Sequence, residues 1–463
     1  MRPRLLLVAY CCSPEGGSEP AVGWTLARLA AERFDTTVIV EERKFRPAID
    51  RWLSEHGHPP GLTFQYVPEK WWAHGMWACG LGYLSYRWWH ARARRVADRL
   101  HAECPFDAVQ LATIIGFREP GSWTDLPAAR GGGSQTVPFI WGPVGGTHNY
   151  PAAFLAEAGP VAAAKEHVRS LVNNRQLRGR RVRNALQAAH TVVAATRDTR
   201  SALRSVVNRE YPIVSEITLR EASPPTPPKR EIGSLRILWS GLHEPRKCLS
   251  LLIRAVAGLS SPGDVRVRVL GDGPMRRRWQ RLARAVGVDA LFEWPGWVSH
   301  DEVADQYRWA DVFAFTSVRD TTGTVLLEAL DVGLPVITLN HQGARDVVTD
   351  DCGIRVSCEH PAATVRELTA AIERLASDER LRQRMSDAAV ARADAYRLPA
   401  KRTQWAGVWD RVAGLRSTAT DRAASPLANG ATTAEHKTAE HETAEHETAA
   451  AFVSQCEVSY EFA

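Results

Sequence analysis

The sequence predicts an α/β protein built from two doubly wound, parallel-sheet domains that face a central cleft. Three observations carry this reading. Short apolar runs alternate with helical patterns through most of the chain, a proline-dense break interrupts them near the middle, and the alternation restarts beyond it. With 463 residues, 44% of them hydrophobic and 24% charged, the chain has the length and composition for two globular cores.

In the first half the expected strands are "RLLLVAY", "TTVIVE", "LTFQYV", "FDAVQLA", "TVPFIWG" and "HTVVAAT". The segment "EASPPTPPKREIGS" has a proline density that no strand or helix interior tolerates, which makes it a linker. Beyond it come "LRILWSG", "DVRVRVLG", "ALFEWPG", "DVFAFTS" and "LPVITLN", each followed by a helical stretch. The regular pattern ends near residue 395, and "YRLPAKRTQWAGVWDRVAGL" reads as one last amphipathic helix. The near-repeat "TAEHKTAEHETAEHETA" closes a tail too poor in apolar residues to bury a core. The expected division is therefore a first domain over 1–222, a linker over 223–234, a second domain over 235–395, a helix over 396–416 and a disordered tail over 417–463.

Composition excludes several classes. The cysteines at 11, 12, 79, 104, 248, 352, 358 and 456 form no C-x-x-C pair and no zinc-ligand spacing, so they read as reduced thiols of a cytoplasmic protein without a metal. The opening "MRPRLLLVAYCCSPEGG" has an apolar stretch too short for a signal core and reads as a buried strand. No apolar run reaches the roughly 18 residues a membrane span needs. A net charge of +6 over so long a chain permits an anionic partner without demanding nucleic acid.

Ligands of open parallel sheets bind beyond the carboxyl ends of the strands, so the informative residues lie just after strands. After "RLLLVAY", Gly16 and Gly17 precede a helix starting near Ser18 and Glu19, where glycines let backbone amides approach an anion; a plain tight turn fits the pair equally well. The loop "WGPVGGTHNYP" carries Gly145, Gly146 and His148, and a loop histidine is more often a structural hydrogen-bonder than a catalyst. In "SGLHEPRKCLSLLIRA", Arg246 and Lys247 sit where a helix begins, and cations there ask for a compensating anion such as phosphate.

The most informative stretch is "SVRDTTGTVLLEAL", residues 317–330. A helix starting near Thr322 leaves its first amides, freed by Gly323, to meet a phosphate, with Asp320 in the loop before it. Thr322, Gly323 and Thr324 are small enough to leave room for a diphosphate, and Glu328 lies roughly 9 Å along the axis, a separation that suits a nucleotide sugar. One carboxylate holds sugar hydroxyls and the other ribose hydroxyls. A buried, paired Glu328 is the plainer alternative, and it too needs strong partners in so apolar a setting.

With these motifs in view, the second half resembles the retaining glycosyltransferases of family 4, whose fold is GT-B, two Rossmann-like domains with a C-terminal helix crossing back to the first. The resemblance covers most of residues 4–415 and is most specific in "EPRK", "VLGDGP", "YRWADVFAFTS" and "LLEALDVGLPVI". It implies that Glu328 takes the second acidic position of the E-x7-E motif and holds the donor ribose, that Asp320 replaces the first glutamate at the donor sugar, and that Lys247 neutralises the diphosphate. Leu242 stands where many relatives place a phosphate-binding arginine, with Arg246 a candidate to compensate, and Gln110 and Leu111 occupy a region that often bears histidine. The implied activity is metal-independent hexosyl transfer with retention from a nucleoside diphosphate sugar, with no cofactor, to a carbohydrate, lipid-linked or small-molecule acceptor. Glu19, Gly145, Gly146 and His148 fall on the acceptor side or in the cleft, and Gly16, Gly17, Arg246, Thr322, Gly323 and Thr324 on the donor. A GT-B epimerase and a noncatalytic nucleotide-sugar sensor are the alternatives.

Two further segments, 70–100 and 169–184, are dense in aromatic and basic residues. Such faces suit peripheral contact with the inner face of a membrane, or an aromatic core helix with a solvated basic side.

Overall fold

The computed structural model describes residues 2–15, 17–70, 72, 76, 82–127, 136–219 and 234–412. Gly16, the linker apart from Ser234, much of the aromatic stretch between 71 and 81, and the tail expected over 417–463 lie outside these residues.

Among the described residues, twelve strands form two sheets. The first contains β1 (Arg4–Val8), β2 (Asp35–Glu41), β3 (Leu62–Val67), β4 (Ala108–Leu111), β5 (Phe139–Val144) and β6 (Thr191–Ala194) in the order β3-β2-β1-β4-β5-β6. The second contains β7 (Leu235–Ser240), β8 (Val265–Leu270), β9 (Phe292–Gly296), β10 (Val312–Phe315), β11 (Val336–Leu339) and β12 (Gly353–Val356) in the order β12-β11-β10-β7-β8-β9. All pairings are parallel. Eleven of the strands match the apolar runs read from the sequence. The twelfth, "GIRV", was not anticipated, because four residues with one arginine give no usable periodicity.

Read outward from its first strand, each sheet has the same doubly wound order, so each has a switch point: β1 beside β4 in the first, β7 beside β10 in the second. These strands are short, apolar and buried on both faces, as covered parallel sheets require. The crevice at each switch point is where a ligand meets the carboxyl ends of the strands. Helices that position the site are α1 (Ser18–Ala31), α2 (Gly82–Glu103), α3 (Pro160–Leu177), α4 (Leu249–Ala257), α5 (Thr324–Asp331), α6 (Gln342–Val347) and α7 (Leu398–Val412).

Two segments cross between the halves. After β5 the chain places Tyr150, Phe154 and Ala158 in the core of the second sheet. In the other direction α7 returns Trp405, Val408 and Trp409 to the core of the first sheet, where Trp409 Nε1 donates to Gln110 Oε1 at 2.8 Å. Gln110 is thereby buried as a structural partner of the last helix. In the aromatic region, Tyr86 and Trp89 of α2 are core residues while Trp88 is half exposed.

Candidate functional site

At the second switch point, the loops after β7 and β10 bring opposite charges together. After β7 a 3-10 turn, Pro245–Lys247, leads through Cys248, whose φ of 43° is left-handed, into α4. This turn buries Arg246 and Lys247, which are 6% and 9% exposed, so they are not a solvated surface pair. After β10 comes Asp320. Lys247 Nζ donates to Asp320 Oδ2 at 2.6 Å and Arg246 Nη1 to the same oxygen at 3.2 Å. Arg246 Nε also reaches Glu244 Oε2 at 2.8 Å. The anions that the two buried cations require are thus supplied within the protein, by Asp320 and Glu244. Burial alone pushes the Asp320 carboxyl up, but the charges of Lys247, Arg246 and Arg319 outweigh it and hold the group well below the usual carboxylate range. Asp320 is ionised at any working pH.

Its backbone is fixed as well, since the Asp320 N–H donates to Gln342 Oε1 at 2.8 Å. The helix expected from Thr322 starts two residues later, at Thr324, because Gly323 adopts a left-handed φ of 86° as the N-cap residue. No side chain caps this end, which leaves the first amides of α5 to a ligand. Thr324 is exposed, whereas Thr322 is buried and donates from Oγ1 to Glu216 Oε2 at 2.9 Å. Glu328, one turn into α5, is half-buried, and Tyr307 donates its hydroxyl to Glu328 Oε2 at 2.8 Å. Tyr307 also meets Ser240 at the carboxyl end of β7, which ties Glu328 to the crevice edge.

The first switch point faces this site. Glu19, in the first turn of α1, accepts the N–H groups of Ile114 and Ile115 at 2.9 and 3.0 Å, which fastens the turn after β4. Burial raises the Glu19 carboxyl to about 7 against those two hydrogen bonds, with the Glu216 charge adding to the rise. Ile115 in turn accepts the Gly145 N–H at 2.7 Å. Gly145 leaves little room for a side chain, since a Cβ there would lie 3.0 Å from Ile115 Cδ1 and 3.1 Å from Thr321 Cγ2 of the donor-side loop. Gly146 lies against Gly116 in the same turn. His148 is buried, its Nε2 makes no hydrogen bond among the described residues, and burial lowers its ring to about 4, so it is neutral. It does not act as a hydrogen-bonding strut through that nitrogen. Gly17 is exposed, as the N-cap residue of α1.

Sequence reading placed Lys247, Arg246, Asp320, Thr322, Gly323, Glu328, Gly145 and His148 near one another in function, and the fold brings them to one crevice. It missed Gln342, whose Nε2 donates to Asn149 O at 3.1 Å while its Oε1 holds Asp320, although its place just after β11 was a usable signal. It also missed Glu216, Tyr307, Arg319 and Lys401, for which no local pattern exists. Lys401 of α7 donates to Ser215 O at 2.6 Å, and burial lowers its ammonium to about 8 against the pull of Glu216. Among the described residues no group of three or more His, Cys, Asp or Glu is placed to hold a metal ion, and no helix is long and apolar enough to cross a membrane.

Residues 228–392 match the family described as Glycosyl transferases group 1. Among curated relatives, the putative colanic acid biosynthesis glycosyltransferase WcaL of Escherichia coli K12 is 31% identical over 162 residues, 34% of this chain and 40% of that protein. The alpha-D-kanosaminyltransferase of Streptomyces kanamyceticus is 28% identical over 179 residues, 38% of this chain and 45% of that protein. The chain thus spans less than half the length of these relatives. Solved structures align more fully: Anabaena HepE in complex with UDP has a TM-score of 0.54 at 15% identity, covering 88% of this chain and 99% of that one. The lipopolysaccharide outer core galactosyltransferase WaaB gives 0.55 at 14% identity, with 88% and 99% covered. The second domain is thus similar to the glycosyl transferases group 1 family, and the chain's two facing parallel-sheet domains, joined by a returning last helix, have the GT-B fold.

Proposed function

We propose that the protein is a retaining glycosyltransferase, moving a hexosyl unit from a nucleoside diphosphate sugar to a carbohydrate, lipid-linked or small-molecule acceptor. The observation that carries this reading is the Lys247–Asp320 pair beside the uncapped amino end of α5, at the switch point of the second sheet. An ammonium has three N–H donors, and Asp320 takes one, so Lys247 keeps donors for diphosphate oxygens. The α5 amides add their partial charge to the same phosphates. Glu328, braced by Tyr307, receives the ribose hydroxyls, and Asp320 the hydroxyls of the sugar.

In the reaction, the bond from the anomeric carbon to the phosphate oxygen breaks and the acceptor oxygen bonds to the same face of that carbon. The acceptor proton passes to the leaving phosphate. Charge growing on the diphosphate is met by Lys247, Arg246 and the α5 amides, a set fixed in place before the donor arrives. The cations assigned here are side chains, so the scheme uses no divalent ion.

HepE has been described in complex with UDP-glucose, which makes uridine nucleotides the first to test. The protein is incubated with a panel of nucleoside diphosphate sugars and candidate acceptors. Acceptor-dependent release of nucleoside diphosphate is the expected result. A changed sugar without release would point to an epimerase, and binding with neither to a sensor. Lys247→Ala and Glu328→Ala are each expected to abolish turnover with the circular dichroism spectrum unchanged, and normal turnover in either removes the assignment.

A further inference from the structure

Beside Asp320, on the side facing the first domain, lies a cluster of arginines that the donor does not use. Helix α3 presents Glu166, Arg169 and Asn173 at spacings of three and four residues, hence on one face. That face runs along the loop after β5: Asn173 Nδ2 donates to Thr147 O at 3.2 Å and Asn149 Oδ1 at 2.9 Å, and Arg169 Nη1 to His148 O at 3.4 Å. From the turn after β4, Arg118 Nη2 donates to Asn173 Oδ1 at 2.8 Å. From the second domain, Arg319, the residue before Asp320, pairs with Glu166 across the cleft at 2.9 Å.

The charges do not balance at Arg169. Among the described residues its one hydrogen bond is the long one to a carbonyl, and the charges that act on it include those of Arg319 and Arg118, with Glu166 opposing them. Burial, reinforced by those two like charges, lowers its guanidinium to about 10, a group that rarely leaves the fully protonated range. Arg319 Nε and Glu166 Oε2 are buried without a hydrogen-bond partner, so even the cross-cleft pair leaves polar atoms unsatisfied. A partly desolvated arginine group of this kind, set beside the place assigned to the donor sugar, is a receptor waiting for a planar or tetrahedral anion.

We propose that Arg169 and Arg319, with Arg118 beside them, form an anion subsite for the acceptor, and that the Glu166 carboxylate stands where an acceptor phosphate or carboxylate binds. The assignment to the acceptor rests on the glycosyl-transfer reading above: Arg169, Arg118 and Glu166 belong to the first domain, and Glu166 pairs with Arg319, the residue before Asp320, while the donor diphosphate is assigned to Lys247 and α5. An incoming anion displaces Glu166 from Arg319, neutralises Arg169 and holds the acceptor hydroxyl end toward the anomeric carbon.

The test is titration calorimetry on the full chain with glucose 6-phosphate, glucuronate and glucose as probes, and UDP as the donor-site control. The expected result is at least a tenfold preference for a charged sugar over glucose. The stronger of the two charged probes identifies phosphate or carboxylate as the recognised group. Arg169→Gln is expected to erase the preference and leave UDP affinity unchanged, whereas Lys247→Ala loses UDP and keeps the preference. Glu166→Gln, which removes the competing carboxylate, is expected to tighten the charged sugar several-fold. No preference in the wild type, a preference that survives Arg169→Gln, one lost with Lys247→Ala, or an unchanged affinity in Glu166→Gln each overturns the proposal. Failure of the wild type to bind UDP or any other nucleoside diphosphate would instead strike the donor reading, since the charged-sugar preference is measured separately.

Discussion

Asp320 and Glu328 are both carboxylates on the same loop and helix, yet their surroundings give them different work. Asp320 is locked by two cations and a backbone hydrogen bond, so its charge and position are constant. Glu328 accepts a hydrogen bond from a neutral hydroxyl, that of Tyr307, which helps to orient it. Tyr307→Phe should therefore weaken donor binding roughly 10-fold or more, about 1.5–3 kcal/mol for a hydrogen bond to a charged group, with a smaller change in kcat; an unchanged donor KM would show that Glu328 needs no brace. Glu19 offers a pH test. Its folded-state value of about 7 exceeds the ordinary 4.5, so the folded chain holds a proton that the unfolded chain releases between those values. Stability then falls as pH rises from 4.5 to 7 and levels above it, by about 1–3 kcal/mol, and Glu19→Gln should flatten the profile of denaturant midpoints. An identical slope in the variant would assign it to other groups. Lys247, Asp320 and Glu328 were legible in the sequence because ionisable residues beside apolar stretches must find partners. Gln342 and Glu216 were not, since their meaning comes from other chain segments, Asp320 and Asn149 for the one and Thr322 for the other.

At the scale of elements, the site depends on how closely α6 approaches the loop that carries Asp320. A Cβ at Gly343 would stand 1.5 Å from the Thr321 carbonyl oxygen, a contact that only movement of the backbone can relieve. Gly343→Ala should push the 320–323 turn away from Gln342, destabilise the fold by about 1–3 kcal/mol and abolish nucleoside diphosphate binding. Gly407 in α7 is the contrast, because nothing lies within 4 Å of its added Cβ. Gly407→Ala should be neutral or stabilise by up to about 1 kcal/mol through helix propensity. Thermal melts and nucleotide titration of the two variants check both outcomes, and equal effects would refute the close-approach argument. The strands were readable because apolar runs of four to seven residues bounded by polar turns have few other uses. Helix boundaries were less so: the start of α5 is set by the left-handed Gly323, a backbone choice that residue identity permits but does not compel.

For the molecule as a whole, the two domains are joined by exchange of core residues as well as by contact across the cleft. The first domain lends Tyr150, Phe154 and Ala158 to the second core, and α7 returns Trp405, Val408 and Trp409 to the first. The sequence announced a last amphipathic helix, and the resemblance placed it across the first domain. The lending of residues 150–158 to the second core had no local signature, because a short apolar segment does not state which sheet will cover it. These crossings link opening of the cleft to the stability of each domain. Trp409 is the sharpest point at which to cut the link, since it is 1% exposed, packs edge-on against Phe34 with ring centroids 5.7 Å apart, and donates to Gln110. Trp409→Ala removes that packing and leaves Gln110 Oε1 without its donor, a loss of about 3–5 kcal/mol. The loss falls on the anchorage of α7 to the first domain and leaves the second core untouched. Calorimetry should then show the first-domain transition moving to lower temperature and separating from that of the second domain. Nucleoside diphosphate binding, which uses the second domain, should survive below that transition while acceptor-dependent turnover falls. A single unshifted transition would mean that α7 is not what couples the two halves.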